Sequence, residues 1–173
     1  MTQEEIDSTY NSEIKTENIG PLFHVLAMLL KTISGIERIT VPGEFRSAKN
    51  PQAEAIQTQH KVSDGWLYPM KSSLLFIQKP IVYIKHKEIK YVEFVRISSS
   101  ANMGSGKSFD INIVKHDGET KGFKNLDKSE LKVLMLYFKK ANIKMRQIDP
   151  DSNRGVDLDD MNEQDVDEEI RQS

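Results

Sequence analysis

The sequence predicts a mainly β, α+β fold: a strongly bent antiparallel sheet of seven strands, capped by a C-terminal helix and preceded by an extra N-terminal helix. Three observations carry that prediction. From residue 55 to residue 124 short apolar runs recur between Gly, Pro, Asn, Asp and Ser turn signals. Phe109, Ile111 and Ile113 alternate with Asp110 and Asn112, so one face of that strand is buried. After the last run, Leu131, Leu134, Met135 and Phe138 recur at helical spacing. A lone sheet of this size needs a cover for its apolar face, and such a helix supplies it.

In chain order, residues 1–19 are polar and have little to bury, which predicts a disordered segment. A helix follows from Pro21 to Ser34. Gly20 stands at its cap, Pro21 suits the first helical position and Gly35 suits the end. Leu22, Val25, Leu26, Leu29 and Ile33 share one face, and such a face must bury against something. Ile36 to Val41 reads as a strand ended by Pro42-Gly43, and Glu44 to Glu54 as an exposed loop. The seven-strand train then runs Ala55–Val62, Gly65–Met70, Ser73–Gln78, Ile81–Ile84, Ile89–Ile97, Ser108–Lys115 and Thr120–Lys124. Ser63-Asp64-Gly65 and His116-Asp117-Gly118 supply turn signals. The last helix spans Lys128 to Ala141, with Asp127 as cap, Glu130 completing a capping box, and Leu126 with Leu131 as a hydrophobic staple. Lys128, Lys132, Lys139 and Lys140 face away from its apolar stripe.

A formal net charge of -2 conceals a strong segregation. Residues 1–19 hold 5 acidic and 1 basic side chain, residues 20–148 hold 11 and 21, and residues 149–173 hold 10 and 2. A basic body with acidic ends suits an anion such as DNA at the body and a cation such as a histone at the tail. There are no cysteines, which excludes disulfides and thiolate metal sites and fits a reducing compartment. The longest apolar run, Leu26 to Leu30, is far short of a membrane span, and the acidic N-terminus does not read as a signal peptide.

Little here points to catalysis. Ala101 to Ser108 matches a relaxed phosphate-binding loop, but that mechanism needs a helix directly after Lys107-Ser108. Phe109 to Ile113 alternates as a strand instead, so a flexible hairpin loop with one basic residue is expected. His24, His60, His86 and His116 are scattered, with no partner at metal-site spacing. No nucleophile, base and orienter can be grouped, so an enzyme is not expected, and neither is a cofactor or a small-molecule substrate. Trp66 and Tyr68 read as strand aromatics in the core, with an exposed aromatic contact as the alternative.

The candidate binding residues follow charge. Lys85, Lys87 and Lys90 lie at the edge of adjacent strands, Arg46 and Lys49 in one loop and Lys107 in another. If they converge they form a phosphate-contacting surface, suited to nonspecific backbone contact because lysine predominates. In the tail, Asp157, Asp159, Asp160, Glu163, Asp165, Asp167, Glu168 and Glu169 form an acidic run that could mimic DNA toward histones. Leu158 and Met161 interrupt it as apolar anchors that add affinity where charge alone is screened.

The order Trp66-Leu67-Tyr68-Pro69, Leu74 to Ile77, Lys79-Pro80 and Ile89 through Arg96 carries a resemblance. So do Ile39-Thr40-Val41-Pro42-Gly43, Ser108-Phe109-Asp110 and Ala141-Asn142-Ile143-Lys144. From about Gly20 to Lys144 the chain resembles the second pleckstrin-homology (PH) domain in the middle region of the small subunit of the FACT histone chaperone, the structure-specific recognition protein family. Trp66 departs from the aliphatic residue more usual there, and Ser98 to Lys107 is a loop of its own sequence. The resemblance implies a PH-like domain over residues 36–148 and a helix over 20–35 from the end of a preceding PH domain. Residues 149–173 then form a disordered acidic tail. It also implies core histones and the large FACT subunit as partners (the latter mostly through regions outside this chain), weak DNA contact, and a nuclear, chromosomal location. Two rivals are a phosphoinositide-binding PH module and a protein scaffold without histone binding. Against the first, the loop where such modules collect basic residues has only Arg46 and Lys49, diluted by Glu44 and Glu54.

Overall fold

The computed structural model describes residues 2–10, 20–36, 39–97, 107–148 and 155–158. They fall into two compact units, Met1–Val41 and Pro42–Ser173.

The first unit carries two helices. α1 (Gln3–Tyr10) forms inside the segment expected to be disordered. Its start explains why: the Thr2 amide donates to Glu5 Oε2 at 2.7 Å and the Glu5 amide to Thr2 Oγ1 at 3.3 Å, a reciprocal capping box. Residues 11–19 lie outside the described residues. α2 (Leu22–Ser34) has Pro21 just before its first turn and ends at Gly35, whose φ of 66° is the left-handed conformation glycine adopts freely. Its apolar face is not fully buried: Leu22, Leu26 and Ile33 are exposed, and Val25 and Leu29 are half-buried. The strand expected at Ile36 to Val41 does not form either. Its described residues are coil, and Ile36, Ile39 and Val41 are exposed.

The second unit is a curled sheet closed by a helix. The strands are β1 (Ile56–His60), β2 (Ser63–Pro69), β3 (Ser73–Ile77), β4 (Val82–Lys85), β5 (Ile89–Val95), β6 (Ser108–Lys115), β7 (Thr120–Asp127), β8 (Met145–Ile148) and β9 (Gly155–Asp157). Their order across the sheet is β4-β3-β2-β1-β7-β6-β5-β8-β9. The seven expected strands are β1 to β7, and each neighbouring pair among them is antiparallel. Two more extend the sheet: β8 runs parallel to β5, and β9 returns antiparallel to β8. Among the described residues the sheet therefore has nine strands and is mixed, where seven antiparallel strands were expected. The architecture is PH-like: a bent sheet plugged by a C-terminal helix.

Alternation decides what the curl encloses. Ile56, Leu67, Phe76 and Val82 form one inward row across β1 to β4, and Phe94, Ile111 and Phe123 continue it on the other half. α3 (Leu131–Lys140), entered through a 3-10 turn at Lys128–Glu130, lays Leu131, Leu134, Met135 and Phe138 onto this core. Each such burial is worth roughly 1.5–3 kcal/mol. Gly65 is required where it stands: a Cβ there would come within 2.5 Å of the Phe76 ring and 2.8 Å of the Ile77 carbonyl. Ser63-Asp64-Gly65 is thus not the turn but the start of β2. The turn is Lys61-Val62, where Lys61 takes φ 56° and His60 pairs with Ser63.

Trp66 leaves the core for the same reason. Gly65 and Leu67 take the inward positions beside it, so Trp66 points out and is 46% exposed. The tail also differs from expectation. Asp157 lies in β9, and Leu158, 3% exposed, is part of the core, its amide bonded to the Met145 carbonyl at 2.9 Å.

Candidate functional site

Charge that can meet a partner is charge not already neutralised, so the basic body divides by its ion pairs. Arg46 pairs with Glu54 at 3.1 Å and Lys49 with Asp127 at 2.9 Å. Arg96 pairs with Asp110, Lys140 with Glu44, and Arg146 with Asp157 at 3.0 Å. Lys115 sits among Glu119, Asp117 and Glu88, and the first two of these carboxylates hold its ammonium well above the usual lysine range. Lys85, Lys87, Lys90 and Lys107 are exposed and, among the described residues, have no carboxylate partner. Lys85 and Lys87 flank His86 in the short turn that joins β4 to β5, and Lys90 follows at the start of β5. The Lys90 ammonium stands 5.9 Å from the Tyr91 ring, which the Arg146 guanidinium also approaches at 4.5 Å.

The predicted basic residues do not gather into one cluster. Lys49 and Lys107 line one hollow of about 660 Å³ together with Trp66, Gln57, Gln59 and Asn125. Arg46 lines another of about 630 Å³ with Lys71, Lys140, Leu136 and Tyr137. Lys85, Lys87 and Lys90 line neither. Sequence reasoning missed Lys71 and Lys140 as neighbours of Arg46, because only the fold brings those three segments together. Trp66 and Tyr83 it could have found: each stands between inward residues in a strict alternation.

Two side chains set the shape of these hollows. Glu130, 2% exposed, accepts hydrogen bonds from Ser47 Oγ, from the Ala48 amide at 2.9 Å and from the Lys49 amide at 3.1 Å. It therefore holds the 47–49 loop rather than completing a capping box. Asp127 alone caps the turn, accepting from the Ser129 amide at 3.1 Å. At the other hollow, the Tyr137 hydroxyl donates to the Met70 carbonyl at 2.8 Å and lies 2.6 Å from His86 Nε2. Burial pushes the phenol well above its ordinary range, so it stays neutral. Burial likewise lowers the His86 imidazole, against a smaller opposing effect from the Ser73 backbone.

Other candidates find plain structural roles. His60 is buried, its Nδ1 2.8 Å from the Gly122 carbonyl, between the rings of Phe76 and Phe123. Lys107 leads directly into a strand, Ser108–Lys115, where a phosphate cradle needs a helix. In the loop where an inositol-binding module would collect basic residues, Arg46 is paired with Glu54 and Lys49 with Asp127, and β1 and β2 are joined by Lys61-Val62 alone. In the tail, Asp157 is exposed and paired with Arg146, and Leu158 is enclosed by the core rather than offered as an anchor. Asp159, Asp160, Met161, Glu163, Asp165, Asp167, Glu168 and Glu169 lie outside the described residues, as does the loop from Ser98 to Gly106.

Residues 54–147, from just before β1 into β8, match the family described as histone chaperone Rttp106-like, middle domain. The chain belongs to that family. It is 33% identical over 167 residues to the FACT complex subunit ssrp1-B of Caenorhabditis elegans, covering 96% of this chain and 23% of that protein. It is 29% identical over 159 residues to the FACT complex subunit SSRP1 of Mus musculus, covering 91% and 21%. To the FACT complex subunit POB3 of Kluyveromyces lactis it is 29% identical over 155 residues, covering 89% and 27%. The Rttp106-like match and these relatives place the similarity in the middle region of the FACT small subunit. The chain spans about a quarter of the length of the curated relatives it matches.

Proposed function

We propose that this chain is the histone-handling middle domain of a FACT-like chaperone. It binds core histones during nucleosome disassembly and reassembly, in transcription and replication, on nuclear chromosomes and without catalysis. The observation that supports this most is the histone-chaperone family match, which runs through nearly the whole curled sheet and α3. The large FACT subunit is the expected partner, reached mainly through regions outside this chain.

Within that reading the acidic residues Asp157, Asp159, Asp160, Glu163, Asp165 and Asp167 face basic histone surfaces, with Met161 as the apolar anchor. Lys85, Lys87, Lys90 and Lys107 make weak contacts to DNA phosphates, and Arg46 and Lys49, each held by a carboxylate, contribute less. The first four are favoured over the last two because, among the described residues, only the last two have a carboxylate partner.

The test is binding of the full chain to each kind of core-histone pair, purified separately, across a salt series. Affinity for at least one pair that falls as salt rises supports the reading. Deleting residues 159–173 is expected to weaken it at least several-fold. No affinity for any histone pair at low salt sinks the proposal, and unchanged affinity after the deletion removes the tail from it.

A further inference from the structure

The sheet β1 to β4 has two faces, and only the inner one is accounted for by the core. Outward residues pair across the strands in two rows. Gln57, Trp66 and Ile77 form one, and Tyr68, Leu75 and Tyr83 the other. Trp66 is 46%, Ile77 47% and Tyr83 56% exposed. Adjacent rows lie about 7 Å apart along the strands. Two exposed aromatic rings, Trp66 and Tyr83, on one antiparallel face are costly to leave in water, with Tyr68 half-buried on the same face, and the alternation that buries Leu67, Phe76 and Ile84 forces them outward.

What surrounds the rings identifies the occupant. Lys85 stands two residues beyond Tyr83 on the same face, and Lys107 shares a hollow with Trp66; neither has a carboxylate partner among the described residues. Gln57, Gln59 and Asn125 line that hollow too; Asn125 Nδ2 donates to Gln59 Oε1 at 3.3 Å, and the amides have further donor and acceptor capacity. Three carboxylates, Asp64, Asp127 and Glu130, line the same hollow; Asp127 is paired with Lys49, and Glu130 is filled by donors of the 47–49 loop. Rings for stacking, amides for base edges and unpaired lysines for phosphates are the parts a single-stranded nucleic acid requires. A duplex keeps its bases stacked inside and cannot use the rings. A purely aliphatic and acidic peptide would leave the amides without a purpose.

We propose that the outward face of β1 to β4 binds single-stranded nucleic acid, with bases stacked on Trp66 and Tyr83, and Lys85 and Lys107 on the phosphates. This stands apart from the histone reading, whose loss would leave it intact, but it takes Lys85 and Lys107 from the DNA contacts proposed above, and equal binding of the duplex would return them to that role.

Trp66 is the one tryptophan of the chain, so intrinsic emission reports on this face directly. The full chain is titrated with a short oligothymidylate, with a duplex of the same length, and with a peptide of alternating Glu and Leu. Saturable quenching by the oligothymidylate and little by the duplex is expected. By anisotropy of a labelled oligothymidylate, Tyr83→Ala and Trp66→Leu should each weaken binding about tenfold. Lys140→Ala, at the other hollow, should change it less than twofold. Circular dichroism checks that each variant is folded, and the second aromatic variant decides if one is not. Three outcomes overturn the proposal: no quenching by the single strand, equal binding of the duplex, or unchanged affinity in the folded aromatic variants. Quenching by the acidic peptide alone also overturns it and makes the face a protein-docking surface.

Discussion

The two ends of α3 are tied to the sheet domain by different chemistry. At its entry a buried carboxylate, Glu130, takes three donors from the 47–49 loop. Two turns on, a neutral phenol, Tyr137, joins the β2–β3 turn and His86. A buried carboxylate is tolerable only when its lone pairs are filled, and here three donors fill them. That end should fail as a unit. The phenol is neutral and its partners are backbone carbonyls at the rim of a hollow, where water can substitute. That end should weaken by degrees. Both clamps link residues more than 50 positions apart in the chain, so neither is local helix chemistry.

The largest effect expected is therefore Glu130→Ala. It strands the Ser47 hydroxyl and the amides of Ala48 and Lys49, at a cost of about 2–4 kcal/mol. Denaturant unfolding measures it, and hydrogen exchange at Ala48 and Lys49 should accelerate with it. Equal or smaller loss than for Tyr137→Phe would break the contrast. For Tyr137→Phe we expect about 1–2 kcal/mol by the same measurement, because the ring packing against Phe45 and Phe138 remains and only the hydroxyl bonds go.

The contrast sharpens with pH. Burial lowers the His86 pKa in the folded protein, so the unfolded chain binds its proton first as pH falls. The contribution of a neutral His86 is then complete above the ordinary histidine value near 6.5 and declines as pH drops through and below it. The melting temperature should fall between about pH 7.5 and about pH 5.5, by less than Tyr137→Phe lowers it, since the ring is only half-buried. His86→Gln should flatten that fall. A slope of the same size in the variant would show that another group is responsible.

How much of this was legible in the sequence depended on the range of the interaction. β1 to β7, α3 and its stripe Leu131, Leu134, Met135 and Phe138 follow from local periodicity, and all of them form. The Thr2–Glu5 capping box was equally local, but the polar composition of residues 1–19 outweighed it. Long-range choices were not legible. Glu130 three residues after Asp127 has the spacing of a capping box, and nothing in the sequence says a loop far upstream will claim its carboxylate. α2 shows the same limit from the other side: its period specifies a helix and an apolar face, not a partner for that face. For Trp66 the strand was right and the side of the strand wrong. Gly65 fixes the side, because Phe76 fills the space its missing side chain leaves. At the candidate site the sequence supplied the lysines, but only the fold distinguishes Lys107, beside Trp66 with no carboxylate partner among the described residues, from Lys49, held by Asp127.

Lys49 gives the smallest effect and the finest test, because it belongs to the Glu130 end twice. Its amide donates to the buried Glu130 carboxylate, and its ammonium pairs with the Asp127 carboxylate at 2.9 Å in solvent. The hydrogen bond to Asp127 raises the lysine pKa and the same bond depresses that of Asp127. Substitution by alanine keeps the amide and removes only the exposed pair, which screening and side-chain entropy leave with little net value. The melting temperature of Lys49→Ala should be nearly unchanged at neutral pH. Asp127→Ala removes the cap on Ser129 as well as the pair, and should cost about 1 kcal/mol. If the two variants lose equal stability, the surface pair rather than the buried carboxylate holds the loop, and the distinction between the two ends of α3 fails.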